Sequence, residues 1–135
     1  METIYQERRH AKYNINYHFI WIPKYRKKNL NPTIANYIKK SLYSMEAAYQ
    51  FNIIALEVMS DHIHLQVSTI PKHSPAELIN KIKGKLGYEL TKRYPHLNTG
   101  KGVWPTSYFC ATTGNVSSET IKKYIENQMR KMYNS

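Results

Sequence analysis

The stretch Ser60-Asp61-His62-Ile63-His64-Leu65-Gln66-Val67-Ser68 leaves this chain few ways to fold. Read as a strand, it puts His62, His64, Gln66 and Ser68 on one face and Ile63, Leu65 and Val67 on the other. The apolar face requires a core beneath it, so the strand belongs to a sheet with one covered side. The opposite face presents two imidazoles, two residues apart, on a rigid element. Neutral imidazole is a common ligand of first-row divalent metals, so the pair can act as a two-point clamp. Half-buried polar residues with no ligand produce the same spacing. Two ligands alone do not hold a catalytic metal, so a third ligand and a reacting group have to come from elsewhere in the chain.

The flanking segments supply the rest of a sheet. Residues 53–59 read as a strand with Ile54, Leu56 and Val58 on one face. Ser60 and Asp61 then turn the chain, which predicts an antiparallel hairpin. Asp61 either orients a ligand imidazole or simply fills the turn its residue type favours. Residues 14–22 predict a strand with apolar residues on both faces, hence a central one, and Pro23 stops it. His18 on that strand comes near the His62 and His64 face if the two strands are neighbours, but reads first as a hydrogen-bonded structural histidine. Residues 107–112 predict a last strand, with Tyr108 and Cys110 opposite Phe109 and Ala111. Residues 94–105, with Pro95, Gly100, Gly102 and Pro105, read as irregular.

Three helices follow from spacings of three and four. Residues 32–50 carry Ile34, Ile38, Leu42, Met45 and Tyr49, with Asn31 or Thr33 as the cap. Residues 75–93 carry Leu78, Ile79, Ile82, Leu86 and Leu90, with Pro75 in the first turn. Residues 117–133 carry Ile121, Ile125, Met129 and Met132, capped by Ser117 or Ser118. On this last helix Tyr124 and Gln128 stand one turn apart, so their side chains emerge together. They offer one nucleophile and one amide oxygen to a common site, or else pack into the core and its rim. The order strand, helix, strand, strand, helix, strand, helix is the β-α-β-β-α-β ferredoxin-like pattern with an added C-terminal helix. The class is α+β, built as an antiparallel sheet in one domain over residues 1–135. Helices on one face leave the other free for the histidine pair. The added helix has to pack on its own sheet or on a partner subunit.

Charge points to the partner. Lys plus Arg number 20 against 9 for Asp plus Glu, a net +11 in 135 residues. That excess suits a polyanion, nucleic acid before an anionic membrane surface. The twelve tyrosines suit stacking on unpaired bases, although most of them are expected to serve packing. Lys24-Tyr25-Arg26-Lys27-Lys28 is a candidate phosphate-contacting loop, with Arg26, Lys27 and Lys28 as its cations. Lys83 and Lys85 mark a cationic face on the second long helix, which is either a DNA contact or a solvated face. Residues 1–13 read as a polar arm, a lead-in more than a contact. Cys110 is the only cysteine, so an intrachain disulfide is excluded and a reducing compartment, the cytoplasm, is expected. No signal peptide is recognised, and no apolar run reaches membrane-spanning length.

Four segments together carry a resemblance. They are Tyr17-His18-Phe19-Ile20-Trp21-Ile22-Pro23-Lys24-Tyr25-Arg26, Asp61-His62-Ile63-His64-Leu65, Val103-Trp104-Pro105-Thr106-Ser107-Tyr108-Phe109, and Tyr124-Ile125-Glu126-Asn127-Gln128. In this order, over nearly the whole chain, they resemble the single-tyrosine HUH transposases of insertion sequences that move as single-stranded DNA. The resemblance implies that His62, His64 and Gln128 ligate a divalent metal ion, Mg²⁺ or Mn²⁺, and that Tyr124 is the nucleophile. It implies cleavage of single-stranded DNA beside hairpins at element ends, a 5′-phosphotyrosine intermediate and a homodimer. No nucleotide cofactor and no membrane are implied. Two other readings remain open: a ferredoxin-like module that binds single-stranded nucleic acid without chemistry, and a replication-initiator-like HUH nuclease.

Overall fold

The computed structural model describes residues 6–8, 11–24, 30–98, 100, 102–112 and 117–134. Two short strands come first, β1 (Gln6–Arg8) and β2 (Ala11–Tyr13), paired antiparallel with each other. The segment expected to be a polar arm is therefore a small ladder of its own. The main sheet is built from β3 (Ile15–Trp21), β4 (Phe51–Val58), β5 (Ile63–Thr69) and β6 (Phe109–Ala111). Its order is β4-β5-β3-β6, all antiparallel, which is the ferredoxin-like arrangement. β3 is central, as its two-sided apolar pattern requires, and Phe19, Ile20 and Trp21 are fully buried.

The helical layer covers one face. α1 (Pro32–Ser44) is capped by Asn31, whose side-chain oxygen accepts from the Ile34 N–H at 2.9 Å. The predicted helix over residues 32–50 is interrupted at Met45, and a four-residue α2 (Glu46–Tyr49) follows. Gln50, at φ 57°, turns the chain into β4. α3 (Pro75–Arg93) spans the predicted residues, and the Ser74 hydroxyl accepts from the Glu77 N–H at 3.1 Å. Ile34, Ile38 and Leu42 of α1 meet Leu78, Ile79, Ile82, Leu86 and Leu90 of α3 over Phe19, Trp21, Ile63, Leu65 and Val67 of the sheet. A single turn of 3-10 helix (Pro95–Leu97) leads from α3 into the segment of Val103 and Trp104, both buried. Trp104 stands edge-on to Trp21, with ring centroids 6.0 Å apart.

β4 departs from the expected alternation. Ile53 pairs with Val67, but Ala55 pairs with Gln66, so Ile54 is an extra residue in a bulge. Ile53, Leu56 and Val58 pack on the core, and Ile54 is 47% exposed. The expected face of Ile54, Leu56 and Val58 is therefore corrected at Ile54. The final helix, α4 (Ser118–Asn134), begins where expected, with the Ser117 hydroxyl accepting from the Thr120 N–H at 3.1 Å. The expected turn at Gly114 and Asn115, and most of the loop of residues 24–28, lie outside the described residues. Among the described residues no helix is long and apolar enough to cross a membrane.

Candidate active site

The register fixes what shares the open face. Directly paired residues point to the same side of a sheet. Glu57 pairs with His64, His64 with Ile20, and Ile20 with Phe109, so one row crosses all four strands. Gln66, His18 and Ala111 make the next row on that face. β5 alternates strictly, with Ile63, Leu65, Val67 and Thr69 buried and His64, Gln66 and Ser68 half-buried.

The two histidines have different supports. The His62 Nδ1 lies 2.9 Å from the Asp61 Oδ1. An imidazole that donates Nδ1–H to a carboxylate keeps the Nε2 lone pair for a ligand, and Asp61 is placed to fix that tautomer. His64 places its Nε2 3.1 Å from the Nδ1 of His18, and the rings are 5.4 Å apart between centroids. His18 is 3% exposed, so the expectation of a hydrogen-bonded structural histidine holds, with His64 as its partner. Burial first, then the neighbouring His18, pushes His64 below the ordinary imidazole value, and Glu57 across the strand pair pulls the other way. The net result favours neutral His64, the form that can ligate a metal.

α4 lies over this same face. The Tyr124 ring sits 6.0 Å from that of Phe109, in the row that contains His64. Ile121, Ile125 and Met129 line a cleft of about 490 Å³ with Met59, Asp61 and His62. The terminal helix thus packs on its own sheet. Tyr124 and Gln128 do emerge together, and they face β6. The Gln128 Oε1 accepts from the Ser107 Oγ at 2.5 Å. The Tyr124 hydroxyl is buried and makes no hydrogen bond of good geometry. Burial pushes its pKa up to about 12, and the nearby Ser107 hydroxyl works against that rise.

The four expected residues are therefore gathered on one face, but not around one point. Phe109 and His64 stand two strands apart, roughly 10 Å. Among the described residues no three His, Cys, Asp or Glu side chains converge on a common centre. A third ligand has to be of another type, which an amide oxygen is. Ser107 is the neighbour that sequence reasoning passed over as a site residue, and His18 stands beside the histidine pair because β3 and β5 are neighbours.

The cationic candidates separate. Lys85 is exposed, its Nζ 5.8 Å from the Tyr49 ring centroid. Lys83 is corrected as a surface cation. It is 6% exposed, and its Nζ donates to the carbonyls of Pro105 at 2.7 Å and Ser107 at 3.0 Å. Burial pulls its pKa down to about 8. The signal was present, because residue 83 lies four after Ile79 and three before Leu86, on the apolar stripe. Arg26, Lys27 and Lys28 lie outside the described residues.

Comparison with known proteins follows the same outline. A model of the family described as "Transposase IS200 like" matches residues 11–128. The ISDra2 transposase TnpA of Deinococcus radiodurans is 33% identical over 119 residues, 86% of this chain and 85% of that protein. The transposase for insertion sequence element IS200 of Salmonella typhimurium is 25% identical over 123 residues, 89% of this chain and 80% of that protein. A crystal structure assigned as a transposase of Deinococcus radiodurans R1 superimposes with a TM-score of 0.84 at 31% identity, covering 91% of this chain and 97% of that one. A REP-associated tyrosine transposase bound to a REP hairpin shares the fold, with a TM-score of 0.58 at 16% identity over 95% of this chain and 70% of that one.

Proposed function

Because the chain belongs to the IS200-like transposases, we propose that it cuts and rejoins single-stranded DNA at insertion-sequence ends through a 5′-phosphotyrosine on Tyr124. The observation that carries this reading is the shared face. Tyr124 rests on Phe109, in the same cross-strand row as His64, with Gln128 one helical turn away. The donor types, two imidazoles and an amide oxygen on one face, suit a divalent ion, Mg²⁺ or Mn²⁺, once the side chains, held here by His18 and Ser107, turn toward a common centre. Asp61 frees the Nε2 of His62, His64 is held toward its neutral form, and Gln128 supplies an amide oxygen. The mixed nitrogen and oxygen set suits Mn²⁺ at least as well as Mg²⁺. If His62, His64 and Gln128 held such an ion, it would supply the positive charge that polarises a scissile phosphate.

The chain's own residues do the rest. Tyr124 stays protonated until DNA enters, since its buried phenol has a pKa of about 12. Its proton passes to a base as the Tyr124 oxygen bonds to phosphorus. The bond from phosphorus to the 3′ oxygen breaks, and that oxygen leaves as a hydroxyl after taking up a proton. The phosphodiester persists as the tyrosyl ester, so rejoining needs no nucleotide cofactor. Lys85, with Arg26, Lys27 and Lys28, steers the strand. A protein of the same fold is bound to a REP hairpin, which supports hairpin-bearing single strands as the substrate class. We propose a homodimer as the working form, as the family resemblance implies.

The test is incubation with a library of single-stranded hairpin oligonucleotides and Mn²⁺ or Mg²⁺, read by denaturing gel and mass spectrometry. A covalent adduct on Tyr124 is expected. Tyr124→Phe should lose the adduct and keep DNA affinity within about twofold, because a phenol-to-phenyl change leaves the packing on Phe109 in place. An adduct that persists in Tyr124→Phe overturns the nucleophile and makes Tyr133 the next residue to examine. DNA binding by the wild type without an adduct under either metal favours the non-catalytic binding module.

A further inference from the structure

α3 and α4 lie on opposite faces of the sheet, yet one run of side chains joins them past the β6 edge. It starts at Lys83 on α3. Its buried ammonium donates to the carbonyls of Pro105 at 2.7 Å and Ser107 at 3.0 Å, just ahead of β6. It continues at Ser107, whose hydroxyl donates to the Gln128 amide oxygen at 2.5 Å. The Tyr124 hydroxyl, buried and without a well-formed hydrogen bond, lies beside the same serine. A buried ammonium is costly unless its protons are taken up, so Lys83 commits residues 105–107 to one conformation. A glutamine side chain, by contrast, has three free torsions and two unlike ends. A single donor on its oxygen selects both the rotamer and the end presented.

We propose that Ser107 is a positioning residue. Its hydroxyl presets the Gln128 oxygen and holds the turn of α4 that carries Tyr124 over its own sheet, and Lys83 fixes Ser107 in turn. This rests on the reading of Gln128 as a metal ligand. A ligand oxygen that is already oriented loses less conformational freedom when the ion binds.

Ser107→Ala and Ser107→Thr, in the full chain, separate the hydroxyl from the fold. Three readouts are compared: backbone hydrogen exchange over residues 121–128, Mn²⁺ affinity by electron paramagnetic resonance, and kcat and KM on a hairpin oligonucleotide. Ser107→Ala should speed exchange about fivefold, the equivalent of one lost hydrogen bond. It should weaken Mn²⁺ binding about tenfold, as loss of a ligand's hydrogen-bond partner does. It should lower kcat and leave KM unchanged. Ser107→Thr, which keeps the hydroxyl, should restore all three. Wild-type exchange and Mn²⁺ affinity in Ser107→Ala overturn the proposal, as does a loss that Ser107→Thr fails to restore. Faster exchange that threonine rescues, in a protein whose wild type neither binds Mn²⁺ nor forms an adduct, supports the clamp and overturns the metal reading.

Discussion

Asp61 stands one residue ahead of His62 and lies 2.9 Å from its Nδ1. A turn residue need not make that contact, and an orienting carboxylate must. Asp61→Ala is therefore expected to weaken Mn²⁺ binding about tenfold in a competition titration. An unchanged dissociation constant would return Asp61 to the turn alone. Single residues also show where sequence is a poor guide. The alternation of residues 62–68 carried its faces openly, because one side of β5 is buried and the other is not. Lys83 showed its burial only by position on the apolar stripe, since its residue type reads as surface until carbonyl partners are in view. Those partners, Pro105 and Ser107, lie more than twenty residues along the chain. The pairing of Ser107 with Gln128 spans a similar separation, which no local spacing encodes.

Elements were legible where pattern and caps agreed. α3 began at Pro75 behind a Ser74 cap and ended at Arg93, as its stripe required. β4 was misread at one residue, because a bulge shifts the facing of what lies on its far side and Ile54 carries no glycine to announce it. The break at Met45 likewise has no sequence mark. Two glycines of α3 give a test at this scale. A Cβ on Gly84 meets nothing within 4 Å, so Gly84→Ala is expected to gain helix propensity, about 1 kcal/mol, and to raise the melting temperature. A Cβ on Gly87 comes within 3.3 Å of the Trp104 indole nitrogen. There the same gain is offset by displacement of a ring that packs on Trp21, and Gly87→Ala should melt at or below the wild type. Thermal denaturation of the two variants side by side checks the contrast. Equal shifts would mean that Trp104 yields freely.

For the whole molecule, the excess of 20 cations over 9 acids sets how binding responds to salt. If Lys27 and Lys28 both touch phosphate, replacing them with glutamine should reduce the slope of log K against log salt by about 1.4 for a single strand. Fluorescence anisotropy across a salt series measures it, and an unaltered slope would place that loop in solvent. The layering has its own consequence. Residues that build the core face one side of the sheet, and the residues proposed for chemistry face the other, so most site variants should leave the fold standing. The burial of Tyr124 bears on the energetics of the whole cycle. An ordinary phenol is a much stronger acid than a sugar hydroxyl, so a phosphate ester of tyrosine is an activated ester. On the proposed chemistry, that activation lets the ester hand its phosphorus back to a 3′ hydroxyl, and the strand is resealed without an outside source of drive. The same burial that pushes the free phenol up to about 12 disfavours its charged form, so the uncombined tyrosine waits neutral between cuts.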